Sequence, residues 1–88
     1  MSELIDNKAG NRFELHVDDM VVYADYRKQE SDLFIDYVFA PVPLRGTGAS
    51  ERLMQSIADL AHDQALKVTP ICGYAALWLK RHAPNVLA

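Results

Sequence analysis

The chain has 88 residues, 50% of them hydrophobic, and 12 acidic against 9 basic side chains give it a net charge of −3. This is enough for one domain with a single core and too little for a second, and an acidic balance lacks the basic face that general nucleic-acid binding needs. No apolar run reaches the ~20 residues of a membrane span, and Met1-Ser2-Glu3-Leu4 lacks the basic and apolar regions of a signal peptide, so a cytoplasmic protein with neither nucleic-acid nor membrane partners is expected.

Residues 1–10 are polar and aperiodic, and read as a flexible N-terminal leader to a domain spanning 11–88. From Arg12 the sequence alternates, with Phe13, Leu15 and Val17 on one side and Arg12, Glu14 and His16 on the other, the period of a half-buried strand. Asp18-Asp19 supplies a turn. Met20–Arg27 alternates again, placing Val22, Ala24 and Tyr26 on one face; Val21 and Tyr23 on the other suit a strand covered on both sides. Lys28–Asp32 is a second polar turn. Leu33–Ala40 is almost continuously apolar, as a central strand buried on both faces would be. Pro41 and Pro43 stop it, since neither donates a ladder hydrogen bond.

From Thr47 or Gly48 the period becomes helical. Leu53, Met54, Ile57, Leu60 and Ala61 form the apolar stripe, and the helix ends near residues 64–66. Lys67–Ile71 reads as a short strand parallel to Leu33–Ala40, which closes a βαβ crossover of the kind that is right-handed almost without exception. Gly73–His82 makes a second helix with Ala75, Trp78, Leu79 and His82 in one stripe, ended by Pro84. The order is βββαβα, an α+β fold with a mixed sheet. Ligands of such open sheets bind outside the carboxyl ends of the strands. That rule puts residues 40–50 and Ile71-Cys72-Gly73 at one edge.

The stretch Ala40–Ser50 therefore joins a proline-broken strand to a helix through a glycine turn that carries one arginine. Amides freed by such a turn, beside the positive end of a helix dipole, suit phosphate oxygens. A Gly-x-Gly turn also arises wherever backbone passes close to backbone. No Gly-Lys-Ser/Thr follows, which argues against a nucleoside triphosphate loop, and three scattered histidines with one cysteine show no metal-ligand spacing. The charge is uneven: residues 1–44 carry −5 and residues 45–88 carry +2. Solvated charged faces are the simpler account; the basic half also suits an anionic cofactor and the acidic half a cationic substrate. Cys72, alone of its kind, forms no internal disulfide, as fits a reducing compartment.

Two separated segments resemble one family. Phe39-Ala40-Pro41-Val42-Pro43-Leu44-Arg45-Gly46-Thr47-Gly48-Ala49-Ser50 is similar to the acetyl-coenzyme A signature of the GCN5-related N-acetyltransferase (GNAT) superfamily. Val68-Thr69-Pro70-Ile71-Cys72-Gly73-Tyr74, followed by Leu79-Lys80-Arg81-His82, resembles the second landmark of a minimal, single-domain branch with a Pro-x-Cys-x-Tyr segment. The resemblance spans residues 12–84. It implies an acyl-CoA N-acyltransferase fold that binds acetyl-CoA and acetylates an amine of unidentified nature, small molecule or protein, as a monomer or homodimer.

The family motif is Arg/Gln-x-x-Gly-x-Gly/Ala, whose amides hold the pyrophosphate. By position Arg45, Gly48 and Ser50 fill it, with Gly46, Thr47 and Ala49 between them; Ser50 departs from the final Gly/Ala but is still small. The backbone at Phe39 and Ala40 is implied to pair with the pantetheine arm. Cys72 is implied to lie near the acyl group, as nucleophile or proton donor, and Tyr74 to protonate the departing thiolate. Beside these stand plainer readings: Cys72 as a small buried hydrophobe and Tyr74 as a core aromatic whose hydroxyl reaches solvent. Pro43 stands where the branch commonly has an acid. Tyr37 stands where many members carry a histidine, which keeps open an alternative: a non-catalytic CoA-binding or partner-binding module. Asp36 interrupts an apolar strand and so needs a partner or an open cleft; it attracts or deprotonates an amine, or is a solvated edge residue. His16 and His62 read as surface residues, and Lys80, Arg81 and His82 as a solvated helix end or a contact to the cofactor 3′-phosphate.

Overall fold

A computed structural model of the chain describes residues 4–88. Five strands, β1 (Leu4–Asn7), β2 (Arg12–Val17), β3 (Met20–Gln29), β4 (Asp32–Phe39) and β5 (Lys67–Pro70), form one sheet in sequence order. The first four pair antiparallel, and β4 and β5 pair parallel across the crossover helix α1 (Ala49–Asp63). A second helix, α2 (Gly73–His82), follows β5 directly. The expected mixed sheet and βαβ unit are therefore present, with one strand added at the front. No helix among the described residues is long and apolar enough to cross a membrane.

That added strand corrects the reading of residues 1–10 as a leader. Leu4–Asn7 is the edge strand of the sheet, paired from Leu4–Leu15 to Asn7–Arg12; residues 1–3 of the same segment lie outside the described residues. Its support comes from elsewhere in the chain. Leu4 packs against the core, and the Tyr26 hydroxyl donates a hydrogen bond to Asp6. The Asn7 side-chain amide also donates to Glu14 of β2, and a four-residue strand held in this way shows no period of its own.

Both helices cover the same face of the sheet. Phe13, Leu15, Val22, Leu33 and Ile35 are buried on it against Leu53, Met54 and Ile57 of α1 and Ala75 and Leu79 of α2, and all belong to one cluster. Among the described residues no helix lies on the opposite face. Tyr23 and Phe39 are only partly buried there and Tyr37 is 50% exposed, so the expectation that β3 and β4 are covered on both faces does not hold. The aromatics that made these strands look central stack on one another and under arginines instead. The Arg12 guanidinium lies 3.7 Å from the Tyr23 ring centroid, and the rings of Tyr23 and Phe39 lie 5.3 Å apart.

The pattern of β4 also conceals a bulge. Tyr26 pairs with Ile35 and Asp25 with Tyr37, so Asp36 is an extra residue. An inserted residue inverts the alternation beyond it: Leu33 and Ile35 face the core, but after Asp36 it is Val38 that packs against the core while Tyr37 turns outward. Past α2, Ala88 N–H donates to Val68 C=O at 2.8 Å and Leu87 bridges to Val68, so the chain end lies alongside β5.

Candidate functional site

β4 and β5 pair from Asp32–Lys67 to Ile35–Pro70 and then part. The amides of Ile71 and Cys72 both donate to the Ile35 carbonyl, at 2.8 and 3.1 Å, which turns the chain out of β5 and into α2. β4 continues to Phe39 with no strand among the described residues beside it on that edge. Its main-chain groups are obligatory hydrogen-bonding groups, and a strand edge of this kind takes an extended ligand by main-chain pairing.

The glycine turn follows. Pro41 leads into a 3₁₀ turn at Val42–Leu44, where Leu44 N–H donates to Pro41 C=O and the buried Leu44 side chain anchors the loop. Gly46 and Gly48 then take left-handed conformations, φ 79° and 86°, which other residues adopt only with strain. A Cβ at either glycine would meet nothing within 4 Å, so the turn stands open to a ligand that approaches its backbone. Gly48 caps α1 without a side-chain hydrogen bond, and the amides of the first turn of α1 therefore stand at the positive end of its dipole. Thr47 Oγ1 donates to Leu44 C=O at 2.5 Å and receives only a long contact, 3.4 Å, from Ala49 N–H. Ala49 is buried beneath the turn and Ser50 half-buried beside it.

Arg45 is less free than its motif position suggests. Its Nε donates to the Ala40 carbonyl at 2.9 Å, and its guanidinium carbon lies 5.9 Å from the Phe39 ring centroid. The arginine thus folds back across the strand end and joins three of the residues singled out in the sequence. One lone pair of Ala40 is engaged, and a guanidinium has further N–H donors beyond the one used here.

Cys72 is half-buried at the N-cap of α2, which again has no side-chain cap. Tyr74 follows in the first turn. It is 42% exposed and so not a core aromatic; its partial burial pushes the phenol pKa up, and the nearby Glu51 carboxylate and Cys72 push the same way. Tyr74 and Glu51 also line one groove of ≈ 250 Å³. The first turns of α1 and α2 are therefore neighbours, and the two sequence segments meet in space. Glu51 was not singled out from the sequence because an acid in the first turn of a helix is ordinary dipole complementation.

The remaining candidates resolve differently. Asp36 is clamped by Arg27, with Nε and Nη2 contacts of 2.8 and 2.9 Å, and this hydrogen bonding holds its carboxyl below the usual range. It is partly exposed and ion-paired, and so is not a free base. His16 lies exposed on the open sheet face, 2.8 Å from Glu14, whose carboxyl is held low by the Asn7 amide and then by His16. His62 is exposed on α1. Lys80 is exposed at the end of α2, whereas Arg81 and His82 line the groove.

The sequence profile of the GCN5-related N-acetyl-transferases matches residues 12–86. The chain belongs to that family, an acyltransferase family, and its five-stranded mixed sheet with two helices is an acyl-CoA N-acyltransferase fold. The NMR solution structure of a candidate GCN5-like N-acetyltransferase from Staphylococcus aureus superposes on it with a TM-score of 0.69, covering 98% of this chain and 87% of that one at 19% identity. At that identity the likeness is one of fold. No curated protein matches the chain.

Proposed function

We propose that the chain is a small N-acetyltransferase that uses acetyl-CoA as donor and an amine as acceptor. The parting of β4 from β5 between two uncapped helix N-termini carries this reading. Unpaired main chain near Phe39 suits the amide groups of a pantetheine arm. The amides of Gly46, Gly48, Ala49 and Ser50, with the dipole of α1, suit a pyrophosphate, whereas the Thr47 amide is given to the Leu44 carbonyl. Cys72 and Tyr74 border the other side, where the acyl end would lie. Acetyl-CoA would supply the activated thioester. A phenol keeps its proton at neutral pH, and partial burial, then Glu51 and Cys72, push the Tyr74 value further up; it is available as a general acid to a leaving group. Cys72 is the free thiol at this edge, and an acyl-cysteine route would leave an acetyl adduct on it.

One observation favours a second reading, a CoA-binding module without catalysis. The β4 residues beside the opening include no free base: Asp36 is neutralised by Arg27, and Tyr37 is a phenol. Thermal-shift titration with CoA and acetyl-CoA tests the binding. Ligand at a hundredfold excess over Kd should add about 2.7 kcal/mol of stability, and no shift at high ligand would overturn the proposal. Gly48→Glu, checked for folding by its own melting curve, should abolish the shift. If the shift is present but no thiol is released with any amine offered, the module reading replaces the enzyme.

A further inference from the structure

Where β4 and β5 part, the face of the sheet away from the helices is open as well. Tyr37, turned outward two residues past Ile35, forms the β4 lip of the mouth. Ile71, whose amide donates to the Ile35 carbonyl at 2.8 Å, forms the β5 lip. The two are 50% and 59% exposed, so both lips are apolar and reach solvent. Behind Tyr37 the surface stays aromatic, with the Tyr23 ring 6.4 Å from it and 5.3 Å from Phe39. The acids nearest the mouth are already matched. Asp25, opposite Tyr37 on β3, accepts from Arg12 Nε at 3.1 Å, and Asp36 is clamped by Arg27. Glu14, one strand further away on β2, accepts from the Asn7 amide and meets His16. Asp18 and Asp19 stand at the β2–β3 turn, beyond Met20 and so more than about 16 Å along β3 from Asp25. Glu51, near Tyr74, belongs to α1 on the other side of the sheet.

We propose that this mouth takes a weakly basic amine carried beside an apolar or aromatic group, the α-amine of a peptide or an aromatic amine, and not a lysine side chain or a polyamine. The inference rests on the acetyltransferase reading and deepens it by naming the acceptor class. An ammonium that enters past Tyr37 and Ile71 meets apolar lips and carboxylates neutralised by guanidinium groups, so nothing there offsets its loss of water. The aromatic faces that attract a cation are taken too, Tyr23 by Arg12 at 3.7 Å and Phe39 by Arg45 at 5.9 Å. With no unpaired carboxylate or imidazole among the described residues of the mouth, the acceptor has to arrive uncharged, because a proton occupies the lone pair that attacks. Near pH 7.5 a peptide α-amine is about one-third uncharged, and a lysine amine about one part in a thousand. Aromatic amines are weaker bases still. The amine lone pair forms a bond to the thioester carbonyl carbon and the carbon–sulfur bond breaks. Its electron pair leaves on sulfur, which takes the Tyr74 proton. The nitrogen sheds its own proton to water, from which the phenol is restored.

Thiol release from acetyl-CoA reads the choice of acceptor. Near pH 7.5 a short peptide amide with a free N-terminal leucine should exceed an N-blocked lysine peptide about a hundredfold in kcat/KM. It should exceed the same peptide led by aspartate about tenfold, as partial burial of one apolar side chain allows. With the leucine peptide kcat/KM should level off near pH 8, whereas with the lysine peptide it should keep rising to about pH 10, each following its own amine. In the double variant Tyr37→Ser, Ile71→Ser the leucine and aspartate peptides should become nearly equal; both positions are exposed, and a melting curve checks that the variant folds. A substituted aniline completes the panel: preference for it identifies a small-molecule source, and preference for the leucine peptide identifies chain N-termini. Use of the lysine peptide as good as or better than both would overturn the acceptor class and leave the acetyltransferase reading standing. One pH profile shared by all acceptors, the mark of a base on the protein, would overturn it too, as would a leucine preference that survives the double variant. No thiol release with any amine, while CoA still raises the melting temperature, would sink the enzyme reading and this acceptor class with it.

Discussion

On the acetyltransferase reading, Tyr74 is the residue whose role is most open to test. Its phenol is protonated at neutral pH, the state a general acid requires, and partial burial with the Glu51 and Cys72 groups beside it pushes its pKa further up. Tyr74→Phe should lower turnover about a hundredfold, the lower end of what a general acid supplies, with CoA affinity unchanged. Undiminished turnover would move the role to Cys72. At this scale the sequence was readable where a residue carries its own backbone demand. Gly48 sits at φ 86° as a turn of this kind requires. The hydrogen bond from Arg45 to Ala40 was not readable, because a side chain that folds back onto a carbonyl five residues earlier leaves no pattern. The pairing of Tyr74 with Glu51 was hidden for a related reason: 23 positions separate them, and only the packing of α1 beside α2 brings them together.

Among the elements, the two helices were the most legible. Their stripes must bury on one side, and the period of 3.6 records this directly; α2 runs over Gly73–His82 as expected, and α1 differs only at its ends. The start of α1 moves to Ala49 because Gly48, in a left-handed conformation, is its cap. Ile57, fully buried where α1 meets the sheet, should cost about 2–5 kcal/mol when truncated to Ala. Against a total of about 5–15 kcal/mol for a small domain, that is a large loss in urea titration, whereas Asp59→Ala on the exposed side should stay within about 0.5 kcal/mol. Strands were less legible than helices. β1 has too few residues to show alternation, and β4 looked doubly buried because its outer face is aromatic. Aromatic residues satisfy a sheet face that has only arginine side chains over it as well as one covered by a helix.

For the molecule as a whole, alkaline pH is the informative perturbation. Tyr26 stacks on Phe13, with ring centroids 4.2 Å apart, and its hydroxyl ties β3 to Asp6 of β1. Burial first, then that hydrogen bond and the Asp6 charge, push its pKa up from 10.0 to about 12. The folded value lies above the unfolded one, so the protonated phenol contributes fully below pH 10 and the contribution is lost as pH rises through about 12. Melting temperature should fall across this window, and Tyr26→Phe should flatten the fall while lowering stability at neutral pH through loss of the bond to Asp6. A fall equally steep in the variant would assign it to other groups.

The extra residue in β4 has a consequence for anyone who compares this chain with its relatives. Before Asp36, odd positions look toward the helices; after it, even positions do. A relative with one residue fewer at this point would align well by letter and yet present Tyr37 and Val38 on exchanged sides. Substitution data from Tyr37 to Ala40, the segment that borders the opening, therefore transfer between homologues by counting hydrogen-bonded partners on β3, and not by counting columns.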